Sequence, residues 1–125
     1  MFEQDYMMRM IHEMVRMLIK LLSGKDTERY DQIEFKEEET RADYERLVRL
    51  ADSGDICGAE NELVENADVG NQDDLRKAVL FYSHLSGMSD EFLAEHNFSR
   101  EEIAQGLRYM ADMYGYGEIM GLLEE

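Results

Sequence analysis

Three histidines and many carboxylates are the residues of this chain that could do acid–base chemistry or hold a metal ion. His12, His84 and His96 lie far apart in the sequence. Glu91, Glu95 and His96 could place two or three ligands on one side of a helix. However, the Glu-x-x-His pair by which helical bundles hold metals does not occur in the chain. We therefore expect exposed charge on a short helix here, and no metal site.

The acidic run from Asp68 to Asp74 resembles a calcium-binding loop only in its density of carboxylates. Its glycine comes third rather than sixth, and the terminal glutamate is missing, so it predicts a turn followed by a helix cap. The sequence contains no nucleophile elbow, phosphate-binding glycine loop or dinucleotide fingerprint. We therefore expect no catalytic residue, no cofactor and no enzymatic activity.

The net charge of the chain argues against nucleic acid as a partner. The 29 Asp and Glu residues outnumber the 13 Lys and Arg residues, which gives a net charge of −16. Residues 1–25 carry a net charge of +1, so the remaining hundred residues carry −17. A surface this acidic repels phosphate backbones, and no basic stripe offsets it.

The N-terminus is apolar but does not have the pattern of a targeting segment. Glu3 and Asp5 stand where a secretory signal has basic residues. Charged residues interrupt the apolar stretch that follows, which excludes a transmembrane span. Cys57 is the only cysteine, so no disulfide can form within the chain. We expect a cytoplasmic protein.

The chain has no proline and few stretches that alternate as strands do, so the sequence predicts an all-α fold. We expect one domain over residues 1–125. It comprises a long amphipathic association helix within residues 1–22, a linker over residues 23–36 and stacked antiparallel helical hairpins over residues 37–125. The last hairpin ends in a short helix at residues 119–123.

Capping residues predict where several of these helices begin. Ser99 and Glu102 have the spacing of a capping box, and Phe98 and Ile103 hold the positions of a hydrophobic staple. A helix is therefore expected to start at Ser99. Thr40 with Asp43, and Asn71 with Asp74, predict two further helix starts in the same way.

Three breaks in the helical pattern indicate a repeat. They are Ser53-Gly54, Ser86-Gly87 and Tyr116-Gly117, which lie 33 and 30 residues apart, and each follows a longer helix and precedes a shorter one. The first hairpin resembles a tetratricopeptide-type repeat, with matching residues Leu47, Leu50, Gly54-Asp55, Ala59 and Leu63. The aromatic and proline signature positions of that family are missing, and a generic right-handed stack of hairpins explains the same residues equally well.

The opening of the chain, together with residues 89–107, resembles a family of short all-helical proteins from Firmicutes bacteria whose function is not known. The resemblance covers nearly the whole chain and rests on MFEQDYMMRMIHEMVRMLIKLL and SDEFLAEHNFSREEIAQGL. It implies a bacterial, cytoplasmic, helical protein with tetratricopeptide-like hairpins. It supplies no functional residues.

Residues 6–22 are the most apolar stretch of the chain and predict its interface. At about 100° per residue, their apolar side chains fill one unbroken arc of roughly 220°. An ordinary surface helix needs an apolar arc of only about 100°. We therefore expect this helix to bury two faces, one on its own domain and one on something else.

The second face is expected to form a two-fold homodimer. Part of it keeps the four-three spacing of a coiled-coil seam. The predicted interface residues are Met7, Met10, Ile11, Met14, Met17, Leu18 and Leu21. Because methionine adapts to partners of different shape, a partner protein could replace the second copy.

Three tyrosines near the C-terminus offer a second recognition site. Tyr109, Tyr114 and Tyr116 could line a groove between the last helices, since tyrosine joins apolar area to a hydroxyl group. The alternative is that these side chains simply close the rim of the core.

Three functions follow from these features. The leading hypothesis is a non-enzymatic interaction or adaptor module that self-associates through its N-terminal helix. The alternative is a peripheral membrane protein that uses the same helix, whose polar side carries Arg9, Arg16 and Lys20. The absence of tryptophan and the charge of the body argue against a membrane. The third hypothesis is a small enzyme without a recognisable motif.

Overall fold

Helices make up all the regular secondary structure in the parts of the chain that the computed structural model describes, which are residues 2–24, 30 and 33–122. This confirms the all-α prediction. Within these described residues there are seven helices: α1 (Phe2–Ser23), α2 (Glu38–Asp52), α3 (Ile56–Glu65), α4 (Gln72–Ser86), α5 (Asp90–Glu95), α6 (Arg100–Met113) and α7 (Gly117–Leu122). Position 123, the last of the predicted terminal helix, lies outside the described residues.

The caps of α4 and α6 lie where the sequence predicted them. The Ser99 hydroxyl oxygen accepts a hydrogen bond from the Glu102 backbone N–H at 3.2 Å, and both staple residues, Phe98 and Ile103, are buried. At the start of α4, the Asn71 side chain accepts from the backbone N–H of Asp73 at 2.9 Å. Local side-chain chemistry therefore sets both helix starts.

The predicted cap at Thr40 is wrong. Helix α2 begins two residues earlier, at Glu38, and no side chain at its own N-cap position makes the capping bond. Instead the Asp73 carboxylate, which belongs to α4, accepts from the backbone N–H groups of Lys36 and Glu37 at 3.1 and 2.7 Å. A carboxylate from another helix thus does the work of a local cap.

The predicted linker is packed where it is described. Tyr30, Ile33 and Phe35 are partly buried against the core. The remaining linker positions 25–29, 31 and 32 lie outside the described residues. The segment after α1 therefore contributes side chains to the folded body before α2 begins.

Helix α4 occupies the centre of the packing, in contact with α1, α2 and α6. Helix α1 packs against both α4 and α6, while α2 pairs with α3 and α6 pairs with α7. The long helices α2, α4 and α6 are each followed by a shorter one, as the three breaks predicted.

Glycine lets two pairs of elements approach closely. Gly106 of α6 lies against the buried ring of Tyr82 of α4, and a Cβ atom at position 106 would overlap that ring. Gly54, in the turn after α2, has φ +114°, and a Cβ there would lie 2.7 Å from Nε2 of His96. Position 54 therefore requires glycine both for its backbone conformation and for space.

Replacing Ser99 by alanine should lower the free energy of unfolding by about 1 kcal/mol, because the N–H of Glu102 loses its cap. Urea unfolding followed by circular dichroism measures the change. Ser99→Thr keeps the hydroxyl oxygen and should retain most of the stability. Equal stability of Ser99→Ala and the parent chain would show that packing alone holds the start of α6.

Replacing Gly106 by alanine should destabilise the fold by about 1–3 kcal/mol, because the added methyl group collides with the buried Tyr82 ring. The sign is informative, since alanine in place of glycine inside a helix ordinarily stabilises by roughly 0.5–1 kcal/mol. Gly121→Ala in α7 is the control, because a Cβ at that position meets nothing within 4 Å. A stabilising Gly106→Ala would contradict the close packing of α4 on α6.

Candidate functional site

The predicted interface residues of α1 divide into a buried set and an accessible set. Ile11, Met14 and Leu18 are 1%, 0% and 0% exposed. They are buried because α4 and α6 of the same chain both cover this side of α1. Their assignment to a surface between two copies is therefore corrected: they belong to the core of the chain itself. Met7 also packs against this core, although it is only partly buried.

The accessible set forms one edge of α1, which we call the α1 strip. Tyr6 is 50% exposed and Leu21 is 40% exposed, while Met10 and Met17 are partly buried between them. Seen down the helix axis, these four residues fall within an arc of roughly 60°. The strip therefore presents a continuous apolar edge about 22 Å long, at 1.5 Å per residue.

The three tyrosines near the C-terminus do not share one groove. Tyr109 is 55% exposed and lies in an open depression of about 440 Å³ with Arg108 and Asp112. The Tyr114 hydroxyl instead donates a hydrogen bond to the backbone carbonyl of Asp68 at 2.6 Å. Tyr116 is partly buried against the core. Of these three tyrosines, Tyr109 alone offers an open aromatic surface.

The surroundings of Tyr114 keep its hydroxyl group protonated, so that it can donate a hydrogen bond. Burial, with the negative charges of Asp74 and Asp68 nearby, raises the pKa of Tyr114 to about 12. The hydroxyl therefore stays protonated at neutral pH and keeps its bond to the turn before α4. Tyr114 is thus a structural tie between α6 and that turn.

A groove of about 630 Å³, which the sequence did not reveal, lies between α2 and α4. Helix α2 supplies one wall, α4 supplies the second, and Tyr30 with residues 33–35 supplies the third. The lining residues are Tyr30, Ile33, Glu34, Phe35, Arg41, Tyr44, Glu45, Leu80, Ser83 and His84. We call this space the α2–α4 groove.

The interior of the α2–α4 groove is aromatic and aliphatic. The rings of Phe35 and Tyr44 lie 5.6 Å apart, centroid to centroid, and are tilted by 42°. Leu80 reaches the groove from α4 and is almost fully buried. Burial, with Asp52 and Glu45 nearby, raises the pKa of Tyr44. The phenol therefore stays neutral.

The rim of the groove carries charges that are paired with one another. Arg41 donates to Glu45 at 2.7 Å and also bonds Glu38. Nε2 of His84 lies 2.7 Å from Oδ1 of Asp52. Both rim pairs are solvent-accessible, so they contribute little to stability and leave the groove open.

A hydroxyl, an imidazole and a carboxylate occur near one another here without forming a nucleophilic triad. Ser83 and His84 are consecutive in α4, so their side chains leave the helix about 100° apart. Among the described residues, no three His, Cys, Asp or Glu side chains are grouped so as to hold a metal ion. The groove instead combines five aromatic or aliphatic side chains with five polar or charged ones.

Comparison with known proteins gives the family of the chain. A model described as a family of unknown function (DUF6483) matches residues 1–115. The chain belongs to the DUF6483 family. No curated protein and no solved structure matches it. Within the described residues, none of the helices has the length and apolar character to cross a bilayer. The DUF6483 match spans both the α1 strip and the α2–α4 groove.

The DUF6483 region also contains a half-buried carboxylate that links α3 to α4. Glu60 accepts a hydrogen bond from the hydroxyl of the buried Tyr82 at 2.8 Å. Burial raises the pKa of Glu60, the Tyr82 bond lowers it, and the charge of Glu102 raises it further. The net effect is a raised pKa, so the ionised Glu60 side chain lowers the stability of the fold at neutral pH.

Replacing Glu60 by glutamine should stabilise the protein at pH 7. Protonated Glu60 stabilises the fold below its ordinary pKa of 4.5, and this contribution is lost as the pH rises through the raised folded value. Glutamine has no charge to bury, and its oxygen still accepts from Tyr82. The Glu60→Gln chain should therefore unfold at a higher temperature at pH 7.

Thermal unfolding at several pH values tests this expectation. The gain from Glu60→Gln should vanish at pH 4, where the parent side chain is protonated as well. Glu65→Gln removes an equal charge from an exposed position of α3 and should show no such pH-dependent gain. A gain that persists at pH 4 would assign the effect to something other than ionisation of Glu60.

Proposed function

We propose that the chain is a non-enzymatic protein–protein interaction module that forms a two-fold homodimer through the α1 strip. The observation that carries this proposal is the row of apolar side chains along one edge of α1, in which Tyr6 and Leu21 are exposed and Met10 and Met17 stay partly accessible although they pack against the core. Apolar side chains grouped in one edge indicate an association surface more strongly than the same side chains scattered singly.

The spacing of the strip supports a two-fold arrangement. Its residues follow one another at intervals of four, seven and four, a pattern that is the same in both directions along the helix. Two antiparallel copies of α1 therefore bring Tyr6 of each copy opposite Leu21 of the other, and Met10 opposite Met17. A symmetric dimer requires this kind of self-complementary surface.

The distribution of charge along the chain also favours α1 as the dimer interface. Helix α1 contains three acidic and three basic residues, whereas the chain as a whole has a net charge of −16. An interface on α1 therefore keeps the acidic surfaces of two copies apart from each other. Because the strip is narrow, the interface belongs to the small, transient class, and we expect a dissociation constant in the micromolar range.

We also infer that α2–α7 form a tetratricopeptide-like stack. Helices α2 and α3 pack as one pair and α6 and α7 as another, while α2, α4 and α6 are neighbours in chain order. The pairs α2–α3 and α6–α7 support a stack of hairpins, whereas α5 is not among the closely packed partners of α4. In such a stack α1 serves as an additional helix laid over α4 and α6, with one edge left for a partner.

Charge substitutions in the strip test the dimer and its direction together. Met10→Glu or Met17→Lys alone should weaken the dimer by about tenfold or more, because each places a charge against an apolar side chain of the second copy. The double variant Met10→Glu, Met17→Lys should regain dimerisation, since each glutamate then faces a lysine. Sedimentation velocity over a range of micromolar concentrations measures the mass.

Val69→Glu is the control, because Val69 is 60% exposed and lies far from α1 in the chain. It should leave the dimer intact, and circular dichroism should show all variants folded. A parent chain that stays monomeric at tens of micromolar would refute the homodimer. A double variant weaker than either single variant would refute the antiparallel direction.

Co-sedimentation with anionic liposomes distinguishes the membrane alternative. The homodimer proposal expects the protein to remain in the supernatant, since the acidic body is repelled by an anionic surface. Sedimentation that Met10→Glu abolishes would instead assign the strip to a lipid surface.

A further inference from the structure

The α2–α4 groove has the dimensions and lining of a small-molecule site, and the proposed dimer makes no use of it. Its volume of about 630 Å³ lies within the range of about 300–1,000 Å³ that ligand sites occupy. Three aromatic rings, from Tyr30, Phe35 and Tyr44, contribute to its walls. A ligand there would therefore need an apolar body to replace water on these surfaces.

The charges around the groove indicate which sign of charge a ligand there would carry. Glu34 and Glu45 line it, and Asp52 lies behind the imidazole of His84. The one guanidinium in the lining belongs to Arg41, and it is shared between Glu38 and Glu45. Carboxylates thus outnumber cations at the rim, in a chain whose net charge is −16. An anion would be repelled at both short and long range.

The aromatic rings in the walls also favour a positively charged ligand. The face of a phenyl or phenol ring attracts a cation within about 6 Å, and the attraction grows where water is displaced. Tyr44 supplies such a ring while Glu45, one residue further along α2, supplies a carboxylate. Rings that accept a cation and carboxylates that neutralise it therefore occur in one groove.

We propose that the α2–α4 groove binds a small organic cation with an apolar body, of which an arylalkylammonium ion is the simplest kind. The apolar part lies against Leu80, Ile33 and the aromatic rings. The ammonium group faces the carboxylate of Glu34, and Glu45, which already pairs with Arg41, lies beside it. Binding forms no covalent bond and requires no cofactor.

Three probes that share a phenylethyl body test this proposal. They are 2-phenylethylammonium, the neutral 2-phenylethanol and the anionic 3-phenylpropanoate, each titrated at pH 7 into the uniformly ¹⁵N-labelled full chain. The ammonium ion should shift the backbone amide signals of residues 33–35, 41–45 and 80–84. Its affinity should exceed that of the alcohol by about tenfold, and the carboxylate should not bind.

Paired variants distinguish the effect of a carboxylate in the groove from the effect of the overall net charge on binding. Glu34→Gln should weaken the ammonium ion about three- to tenfold and leave the alcohol unchanged. Glu39→Gln makes the same change in net charge at an exposed position of α2 that does not line the groove, and should alter the affinity less than about twofold. Tyr44→Leu replaces the ring by a smaller aliphatic side chain, so the preference for the ammonium ion over the alcohol should fall.

Several outcomes would overturn the proposal. They are equal affinities for the ammonium ion and the alcohol, amide shifts outside the three segments, or equal effects of Glu34→Gln and Glu39→Gln. Binding by Met10→Glu with unchanged affinity would support a site independent of the α1 strip. The amide spectrum of each variant shows at the same time that it is folded.

Discussion

The buried ion pair between Asp73 and Arg76 connects three parts of the chain that are distant in sequence. Asp73 also accepts the backbone N–H groups of Lys36 and Glu37 before α2, and Arg76 lies 3.4 Å from the carbonyl oxygen of Leu22 near the end of α1. A buried charge is tolerated only with such partners. The pair therefore fixes where α1 ends and α2 begins against the first turn of α4, and with it the segment that walls the α2–α4 groove.

Both candidate surfaces depend on the central position of α4. The α1 strip exists because α4 and α6 cover the adjoining side of α1 and leave this edge partly open. The groove exists because α2 packs on another part of α4. At the crossing with α6, Tyr82 fits under Gly106 and bonds Glu60, so a change of side-chain volume at position 106 is transmitted to α3 as well.

Local patterns in the sequence predicted where the helices lie better than they predicted which helices pack against one another. The caps at Asn71 and Ser99 and the alternation of long and short helices follow from residues close together in the chain. The width of the apolar arc on α1 indicated more apolar surface than one contact covers, but periodicity carries no information about which element covers which part. Helices α4 and α6 of the same chain cover most of the arc, and the α1 strip stays accessible. The start of α2 was misplaced because Asp73, which caps it, lies 36 residues away from Glu37. The groove was not predictable for the same reason: Phe35, Tyr44 and Leu80 each have the pattern of ordinary core residues, and only the packing of α2 on α4 opens a space between them.

The position of α1 has a consequence for biosynthesis. Its most apolar side is covered by α6, which ends at Met113, about 90 residues after the end of α1. At roughly 5–20 residues per second, a ribosome needs roughly 5–20 s to complete that interval. During this time the methionine-rich helix is already made while its covering helices are not. The nascent chain therefore exposes apolar surface that α4 and α6 later cover in the folded protein.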